Sequence, residues 1–260
     1  MSPRSVVLIT GGARRLGRAM AMELAAAGYH IAVHYRQSAD EAHHLLVELR
    51  AAGATAQAFC ADLADEAQCE ALVPAVSTHF GRLDAVVNNA SLFEYDDVES
   101  FSYARMDAHW RANTAPAIVL ARALHRQAAT QQSQACVVNV LDQKLWNPNP
   151  DYLSYTLSKA ALETCNTLLA QALAPRLRVC GIAPGVTLAS GPMNEAEFSA
   201  AHRLTPLHYS STPTDIARSV RFLLESPAIT GTTLLVDGGQ HLAAQARDVM
   251  FLTPKTEQGL

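Results

Sequence analysis

Short apolar, β-branched runs alternate with amphipathic stretches through most of this chain, and that alternation restricts its fold more than any other feature. The runs have the length and composition of buried strands, and they lie at residues 6–10, 30–35, 54–60, 83–88, 135–141, 178–183 and 233–236. The stretches between them have helical periodicity and lie at residues 15–27, 40–52, 66–80, 103–127, 153–173 and 214–225. Strands and helices that alternate in this way build a parallel sheet covered by helices on both faces. The sequence therefore predicts an α/β fold, a doubly wound Rossmann-type domain with a seven-stranded parallel sheet.

The length of the chain and the position of its glycines agree with one domain. Its 260 residues, 49% of them hydrophobic, are enough for one substantial core, so we assign residues 1–260 to a single domain. Gly28 and Gly53 stand where glycines commonly end helices. Residues 184–213 read as irregular, and a stretch of this length is too long for a simple connector and typical of a functional lid.

Composition argues against several classes of protein. The formal net charge is −4, and the sequence has no basic stripe that would indicate a nucleic-acid partner. The apolar run near the N-terminus covers only residues 6–9, which is too short for a signal sequence or a membrane span. The five cysteines are scattered without a C-x-x-C pair, and the sequence has no H-E-x-x-H motif, so we expect reduced thiols and no metal site. These features predict a cytoplasmic protein with no membrane partner.

A glycine-rich turn follows the first predicted strand and opens the first predicted helix. It reads Thr10-Gly11-Gly12-Ala13-Arg14-Arg15-Leu16-Gly17. A turn in this position offers the N–H groups of a helix N-terminus to a pyrophosphate. Gly11 permits the tight turn, Gly17 lets the helix approach the sheet, and Arg15 replaces the middle glycine of the usual fingerprint. A turn without a ligand is the alternative, but it would leave Arg14, Arg15 and Arg18 opposing the helix dipole.

The end of the second predicted strand indicates which dinucleotide binds. NAD-binding chains place an acid there for the ribose 2′-hydroxyl, whereas this chain reads His34-Tyr35-Arg36-Gln37-Ser38 with no acid before Asp40. Arg36 and Ser38, with Arg14 opposite, are suited to a 2′-phosphate, so we predict NADPH rather than NADH. A solvated surface charge is the alternative interpretation of Arg36.

Two further strand ends carry candidate cofactor contacts. Asp62 and Leu63 follow the third predicted strand, where they are placed to meet the adenine ring. The run Asn88-Asn89-Ala90-Ser91 follows the fourth, where it is placed to line the nicotinamide ribose. A helix cap or a turn residue is the common alternative for such positions.

Asp142, Tyr155 and Lys159 form the candidate catalytic group. Tyr155 and Lys159 are four residues apart and therefore share one face of a predicted helix. We expect the lysine ammonium to stabilise the phenolate and to bring the tyrosine pKa closer to neutrality, which suits a proton donor for hydride transfer. A carboxylate beside the tyrosine repels the oxyanion of a reduced carbonyl but can hold or protonate a basic nitrogen. Asp142 therefore favours reduction of a C=N bond, with a simple helix cap as its alternative role.

Together these motifs resemble the short-chain dehydrogenase/reductase superfamily. The T-G-x-x-x-x-x-G turn, N-N-A, Asn113 in the long helix, Y-x-x-x-K, Pro184-Gly185 and the tail Val236-Asp237-Gly238-Gly239 carry the resemblance across residues 6–239. Three departures narrow it: Arg15 in the turn, Asp142 at the usual serine position, and Phe93 after Asn89-Ala90-Ser91. With His34-Tyr35, they are similar to the pteridine reductases and the related bacterial dihydromonapterin reductases.

The resemblance implies NADPH-dependent reduction of pterins by a homotetramer, with dihydropterins, dihydromonapterin or dihydrofolate-like compounds as substrates. It implies that Asp142, Tyr155 and Lys159 are catalytic and that Asn113 completes the scaffold of the proton relay. Residues 187–210 would form the substrate loop, and residues 240–260 would be an extension that adds to a subunit interface.

The resemblance also implies two sets of binding residues. The implied cofactor contacts are Gly11, Arg14, Arg15, Leu16, His34, Tyr35, Arg36, Ser38, Asp62, Leu63, Asn89, Ala90, Ser91, Tyr155, Lys159, Pro184, Gly185, Val186 and Thr187. The implied substrate contacts are Arg15, Ser91, Phe93, Asp142, Tyr152 and Tyr155, with Phe93 stacking the pterin against the nicotinamide and Tyr152 bordering it.

Other interpretations stay open at this point. One is a carbonyl reductase that acts on ketones or 3-oxoacyl substrates and happens to carry Asp142. Another is a non-catalytic NADPH-binding sensor, although a sensor has no need of a proton relay. Trp146 belongs either to the substrate site or to a turn-rich loop, and Met193 and Leu207 are either pocket walls or interface residues.

Overall fold

A parallel sheet of seven strands forms the centre of the protein. The structure, a computed structural model, describes residues 5–189 and 193–252. The strands are β1 Val6–Ile9, β2 His30–Tyr35, β3 Ala56–Cys60, β4 Ala85–Asn88, β5 Ala135–Val140, β6 Leu177–Pro184 and β7 Thr233–Val236. They lie in the order β3-β2-β1-β4-β5-β6-β7, and each pairs in parallel with its neighbours. The predicted doubly wound, seven-stranded fold is confirmed.

Helices cover both faces of this sheet. They are α1 Arg15–Ala26, α2 Ala39–Ala51, α3 Glu66–Phe80, α4 Tyr103–His109, α5 Ala115–Thr130, α6 Leu153–Leu173, α7 Glu195–Arg203 and α8 Pro213–Glu225. Side chains of β1 alternate between the two layers, as the pleat requires. Val7 and Ile9 pack with α1, α2 and α8, whereas Val6 and Leu8 pack with α3 and α5. Both layers are therefore anchored on the same central strand.

The strand order reverses between β1 and β4, and this reversal determines where a ligand can bind. The chain leaves β1 for β2 on one side and later returns to β4 on the other. In sheets of this kind the helices diverge at that point, and a crevice opens beside the carboxyl ends of the strands. The glycine-rich turn after β1 and the Asn89-Ala90-Ser91 run after β4 both lie at this crevice.

Most helix boundaries agree with the sequence, and two regions differ from it. Gly28 and Gly53 follow α1 and α2 with left-handed φ values of 94° and 81°, as predicted. The single helix predicted for residues 103–127 is wrong, because α4 and α5 are separated by a π-helical turn at Trp110–Thr114. Pro116 opens α5, and since proline has no N–H to donate, the regular α-helical hydrogen bonding is interrupted just before it.

The second difference concerns residues 184–213, which the sequence predicted to be irregular. They contain helix α7, which begins with a capping box. Asn194 accepts from the backbone N–H of Glu197 at 2.9 Å, and Glu197 accepts from the backbone N–H of Asn194 at 2.9 Å. An Asn followed three residues later by Glu is a sequence signal for a helix start. The prediction of an irregular stretch did not take this signal into account.

Candidate active site

A cavity of about 820 Å³ lies at the carboxyl ends of the strands. All of the cofactor contacts that the family resemblance implied line it, from the glycine-rich turn after β1 to residues 184–187 after β6, whereas Asn88, which the sequence also placed near the nicotinamide ribose, does not. Of the predicted catalytic and substrate residues, the lining includes Arg15, Ser91, Phe93, Asp142, Tyr155 and Lys159. Tyr152 and Asn113 lie behind this wall. The fold thus brings nearly all of the predicted site residues to one place.

The glycine-rich turn packs directly against the start of α1. Gly11 has a left-handed φ of 58°. A Cβ on Gly17 would stand 2.2 Å from the carbonyl oxygen of Gly11, so only glycine permits this approach. Arg15 also has a left-handed φ, 51°, at the position where the usual fingerprint has a glycine. The backbone conformation of the fingerprint is therefore kept although the residue has changed.

The arginines of the turn have partners outside it. Arg14 pairs with Glu41 at 3.2 Å, and Arg18 pairs with Glu48, so two glutamates of α2 balance charge at the N-terminus of α1. The Nη2 atom of Arg15 donates to the carbonyl oxygen of Ala189 at 2.8 Å and so links the turn to the predicted substrate loop. These arginines therefore make contacts that stabilise the fold, and Arg14 and Arg15 also line the cavity.

His34 and Asn89 fix the turn from the neighbouring strands. The Nδ1 atom of His34 accepts from the N–H of Gly11 at 3.0 Å, and Nε2 lies 3.0 Å from the carbonyl oxygen of Ala61, to which it donates in this tautomer. Burial lowers the pKa of His34, which agrees with a neutral ring. The amide of Asn89 donates to the carbonyl oxygens of Thr10 and Gly11 at 2.9 and 3.1 Å. Both residues line the cavity and also hold the turn in shape.

Asp142 joins the end of β5 to Tyr155. Its Oδ2 accepts from the hydroxyl of Tyr155 at 2.8 Å, and its Oδ1 accepts from the backbone N–H of Lys144 at 2.8 Å. The second bond caps a short 3₁₀ turn at Gln143–Leu145. The cap that the sequence offered as one role for this aspartate and a direct contact with Tyr155 are therefore both present, one on each carboxylate oxygen.

The charges of this group differ in one respect from the sequence expectation. Burial raises the pKa of Asp142, and burial together with the Asp142 carboxylate raises the pKa of Tyr155 well above its usual value. The expected lowering of the tyrosine pKa by Lys159 is therefore wrong for this ligand-free geometry. Burial also lowers the pKa of Lys159 to about 8, and its Nζ donates to the carbonyl oxygen of Val140 at 2.7 Å. Tyr155 is thus a protonated donor whose proton lies toward Asp142.

Helix α6 carries Tyr155 and Lys159, and its N-terminus is capped by the carboxylate of Asp96, which is distant in the sequence. Asp96 is completely buried and accepts from the backbone N–H and the hydroxyl of Ser154, the first of these at 2.9 Å. The carbonyl oxygen of Asp96 accepts from the N–H of Leu153 at 3.1 Å. A negative charge at a helix N-terminus is stabilising, so Asp96 holds the start of α6 in place. Sequence analysis missed it because nothing local connects residue 96 with residue 154.

Asn113 lies in the π-helical turn and is buried behind the cavity wall. Its side chain accepts from the N–H of Leu92 at 2.7 Å and donates to the carbonyl oxygen of Leu92 at 3.0 Å. It also donates to the hydroxyl of Ser158 at 2.9 Å. Asn113 therefore ties the loop after β4 to α6 and positions Phe93 relative to Tyr155.

Two aromatic rings stack at the substrate end of the cavity. The centroids of Phe93 and Tyr152 are 4.2 Å apart with an angle of 13° between the ring planes. Phe93 is 40% exposed and lines the cavity, whereas Tyr152 is 6% exposed and supports it from behind. The edge of Phe93 also meets Tyr155 with centroids 4.7 Å apart. A planar aromatic face is therefore available beside the catalytic hydroxyl.

The cavity also has a wall that the sequence did not predict, formed by Gln245, Asp248, Val249 and Met250. These residues belong to the extension that was expected to add to a subunit interface, and they line the chain's own candidate site. Met193 lines the cavity, whereas Leu207 is 72% exposed and Trp146 lies outside the lining. Three residues of the predicted substrate loop, 190–192, lie outside the described part of the chain.

Comparison with known proteins agrees with this geometry. A family model described as enoyl-(acyl carrier protein) reductase matches residues 11–241. The chain belongs to the short-chain dehydrogenase/reductase family. Within this family, it is 31% identical to pteridine reductase 1 of Leishmania tarentolae, over 91% of this chain and 96% of that protein. It is 30% identical to the 3-oxoacyl-[acyl-carrier-protein] reductase FabG of Staphylococcus aureus, over 90% and 97% of the two chains.

Solved structures of the family point in the same direction. FolM alternative dihydrofolate reductase 1 of Brucella suis, in complex with NADP, is 38% identical with a TM-score of 0.89, over 95% of this chain and 99% of that chain. The same protein of Brucella canis, complexed with NADP, is 37% identical with a TM-score of 0.87, over 95% and 98%. Arg15, Phe93 and Asp142 indicated a resemblance to pteridine reductases. The matches to pteridine reductase 1 and to the two FolM structures confirm this resemblance.

Across residues 5–189 and 193–252, we find no group of three His, Cys, Asp or Glu side chains arranged to hold a metal ion. None of the helices in the same residues has both the length and the hydrophobicity required to cross a bilayer.

Proposed function

We propose that this protein is an NADPH-dependent reductase of pterins that reduces a C=N bond of a dihydropterin, dihydromonapterin or dihydrofolate-like ring. The observation that carries the proposal is the 2.8 Å hydrogen bond from Tyr155 to Asp142 inside the cavity. Reduction of a carbonyl develops negative charge on oxygen, which a neighbouring carboxylate would repel. Reduction of a C=N bond develops basicity on nitrogen, which a carboxyl group can hold or protonate. Asp142 therefore suits the second reaction.

NADPH is the cofactor that the site fits. The left-handed Gly11 and the tight contact at Gly17 bring backbone N–H groups of the turn to the cavity. Arg36 and Ser38 line it at the end of β2, with Arg14 opposite, and they suit a 2′-phosphate. The two FolM structures of Brucella are complexes with NADP. When bound, NADPH supplies the hydride.

The proton comes from the Asp142–Tyr155 pair. Burial raises the pKa of Asp142, so this carboxyl group exchanges a proton more readily near neutral pH than an exposed aspartate. Tyr155 is protonated and hydrogen-bonded to it, so either residue can deliver a proton to a ring nitrogen, depending on which bond is reduced. We assign Lys159 to the ribose hydroxyls, and Asn113 to holding the loop that carries Ser91 and Phe93.

The pterin ring would lie on the exposed face of Phe93, with Arg15 and Ser91 at its polar edge and Tyr152 behind it. Planar aromatic groups stack favourably on one another. In addition, pteridine reductase 1 of Leishmania tarentolae is a relative across nearly the whole chain. Residues 187–210 would close over the ring. The single domain, the homotetramer and the cytoplasmic location remain predictions from the sequence and the resemblance.

Substitution of Asp142 tests the proposal. Asp142→Ser should lower kcat/KM for a dihydropterin by roughly a hundredfold or more, as loss of a general acid does, and change the Kd of NADPH less than about twofold. Tyr155→Phe should act in the same way. Asp142→Asn is the matched variant, because it keeps the shape of the side chain and the cap on the 3₁₀ turn but cannot donate a proton. It should lose turnover as Asp142→Ser does. Stopped-flow kinetics and NADPH fluorescence titration measure both quantities.

A substrate panel separates this proposal from its alternatives. Unchanged pterin turnover in Asp142→Ser would contradict the assignment of the aspartate. Faster NADPH oxidation with ketones or 3-oxoacyl thioesters than with any dihydropterin would favour a carbonyl reductase, the activity in the name of the FabG relative. NADPH binding without turnover of any compound in the panel would favour a sensor.

A further inference from the structure

The chain after Gly239 folds back over the substrate end of the cavity. A 3₁₀ turn at Gln240–Leu242 follows β7, and a second one at Val249–Phe251 lies next to Tyr152. The ring of Phe251 stacks against Tyr152 with centroids 6.4 Å apart, and the hydroxyl of Tyr152 lies 3.2 Å from the sulfur of Met250. The segment is thus in contact with the aromatic pair that supports the proposed pterin site.

A buried ion pair anchors this segment to the loop after Asp142. The Nζ of Lys144 lies 2.9 Å from the Asp248 carboxylate, and these side chains are only 3% and 14% exposed. Lys144 also donates to Asn149 at 2.6 Å. Burying two charges is favourable only when the geometry is good and the remaining donors are satisfied, and removal of one partner is strongly destabilising. The pair therefore fixes residue 248 at the cavity.

A second anchor lies one residue earlier in the segment. Arg247 donates to both carboxylate oxygens of Asp151, with distances between 2.7 and 3.0 Å, and the N–H of Asp248 donates to Asp151 at 2.7 Å. Asp151 immediately precedes Tyr152. The two anchors thus clamp both ends of the loop between Asp142 and helix α6, and they hold four side chains at the cavity.

We propose that residues 245–250 form the wall that decides which ring substituents this enzyme accepts. Val249 and Met250 give the wall an apolar part, and Gln245 and Asp248 give it a polar part. A substituent on a ring bound between Phe93 and Asp142 would have to fit this surface. The substrate class, a pterin, rests on the proposed function, whereas the wall itself rests on the contacts above.

A series of dihydropterins with substituents of increasing size tests the wall. In wild-type protein with NADPH, we would measure kcat/KM for a ring with hydrogen, a short hydroxyalkyl group and the long side chain of dihydrofolate. Met250→Ala removes apolar bulk from the wall, so the ratio of kcat/KM for the largest to the smallest substrate should rise about tenfold, the effect of a changed contact in an apolar pocket. The Kd of NADPH should change less than about twofold.

Two more variants keep the outcome clear. Asp248→Asn weakens the anchor at Lys144 and should raise KM for every pterin without weakening NADPH binding. Leu242→Ala is the matched control, because Leu242 lies in the same segment, is 73% exposed and is not part of the cavity lining. A substrate-size ratio in Met250→Ala that stays within twofold of wild type, with circular dichroism unchanged, would contradict the proposed role of residues 245–250.

Failure of the proposed function is distinguishable from failure of the wall. If the wild-type protein binds NADPH but reduces no dihydropterin, the pterin assignment fails. The same ratio would then be measured with a short and a long 3-oxoacyl thioester, or with a small and a large ketone. A shift of the ratio in Met250→Ala would still support the proposed role of residues 245–250, and a constant ratio would still contradict it.

Discussion

At the scale of single residues, Arg15 keeps a backbone conformation that glycine adopts most easily. Its φ of 51° lies in the left-handed region, which costs a residue with a Cβ about 1–2 kcal/mol. Strain of this kind persists where the surrounding structure or the function requires it. The guanidinium at the cavity is the functional reason that we propose here.

Arg15→Gly and Arg15→Ala separate strain from charge. Both variants lose the guanidinium, so both should bind NADPH roughly tenfold or more weakly, as expected for a lost hydrogen bond to a charged group. Only glycine relieves the backbone, so we expect Arg15→Gly to be more stable than Arg15→Ala by about 1 kcal/mol. Urea denaturation of the ligand-free variants measures this difference. An alanine variant as stable as the glycine variant would show that the turn is not strained.

Lys159 gives the site a pH dependence. Burial lowers its pKa to about 8, so its positive charge is present below that pH and is lost as the pH rises through it. NADPH is an anion, and its Kd should therefore increase above pH 8 by at most about tenfold per pH unit, the limit for one linked proton. Fluorescence titrations between pH 6.5 and 9.5 measure the effect. Lys159→Met should bind weakly with no such increase, and a wild-type profile as flat as that of the variant would contradict the assignment.

The grouping of the candidate catalytic residues could be predicted from the sequence, but their charge states could not. A Tyr and a Lys four residues apart share a helix face whatever surrounds them, and that was enough to select Tyr155 and Lys159. The direction of each pKa shift depends on burial and on the atoms in contact. Asp142 contacts the tyrosine hydroxyl directly, whereas the ammonium of Lys159 lies 5.8 Å from the ring centroid of Tyr155. Burial and the aspartate, rather than the lysine, therefore set the direction of the shift in the tyrosine pKa.

At the scale of elements, the position of helix α6 depends on Asp96. Asp96→Asn replaces a charge-assisted cap at the helix N-terminus by a neutral side chain, so the free energy of unfolding should fall by about 2 kcal/mol. Because α6 carries Tyr155, kcat should also fall while the Kd of NADPH changes less. Asp97→Asn is the matched control, since the Asp97 carboxylate accepts from Ser100 and from the hydroxyl of Tyr95, within its own loop. Equal stability losses in the two variants would contradict a special role for Asp96.

Elements that depend on local signals were predictable, and elements that depend on distant contacts were not. The capping box formed by Asn194 and Glu197 predicts the start of helix α7 from four consecutive residues. Pro116 is a local sign of an interruption before α5, but the contacts of Asn113 with Leu92 and Ser158, which stabilise the π-helical turn, could not be predicted locally. The cap of α6 by Asp96 is likewise visible only after folding.

At the scale of the whole molecule, the alternation of strands and helices determined the sheet, and the sheet brought the predicted site residues together. Parallel strands end at one edge, so residues after β1, β2, β4, β5 and β6 meet there without any information beyond strand order. The C-terminal wall was not predictable in this way. Its place depends on the Lys144–Asp248 and Asp151–Arg247 pairs, which join residues about a hundred positions apart.

Cofactor binding should stabilise the whole fold, and the size of the effect should reveal the preferred dinucleotide. A ligand at a hundred times its Kd stabilises the native state by about 2.7 kcal/mol. For a chain of this size, that raises Tm by roughly 5–10 °C. At equal concentration, NADPH should raise Tm more than NADH, because only NADPH has a 2′-phosphate for Arg36 to contact. In Arg36→Ala, the NADPH shift should fall toward the NADH shift, while the NADH shift stays unchanged. Equal Tm shifts in the wild-type protein would contradict the preference for NADPH, since a site that does not recognise the 2′-phosphate gains nothing from it.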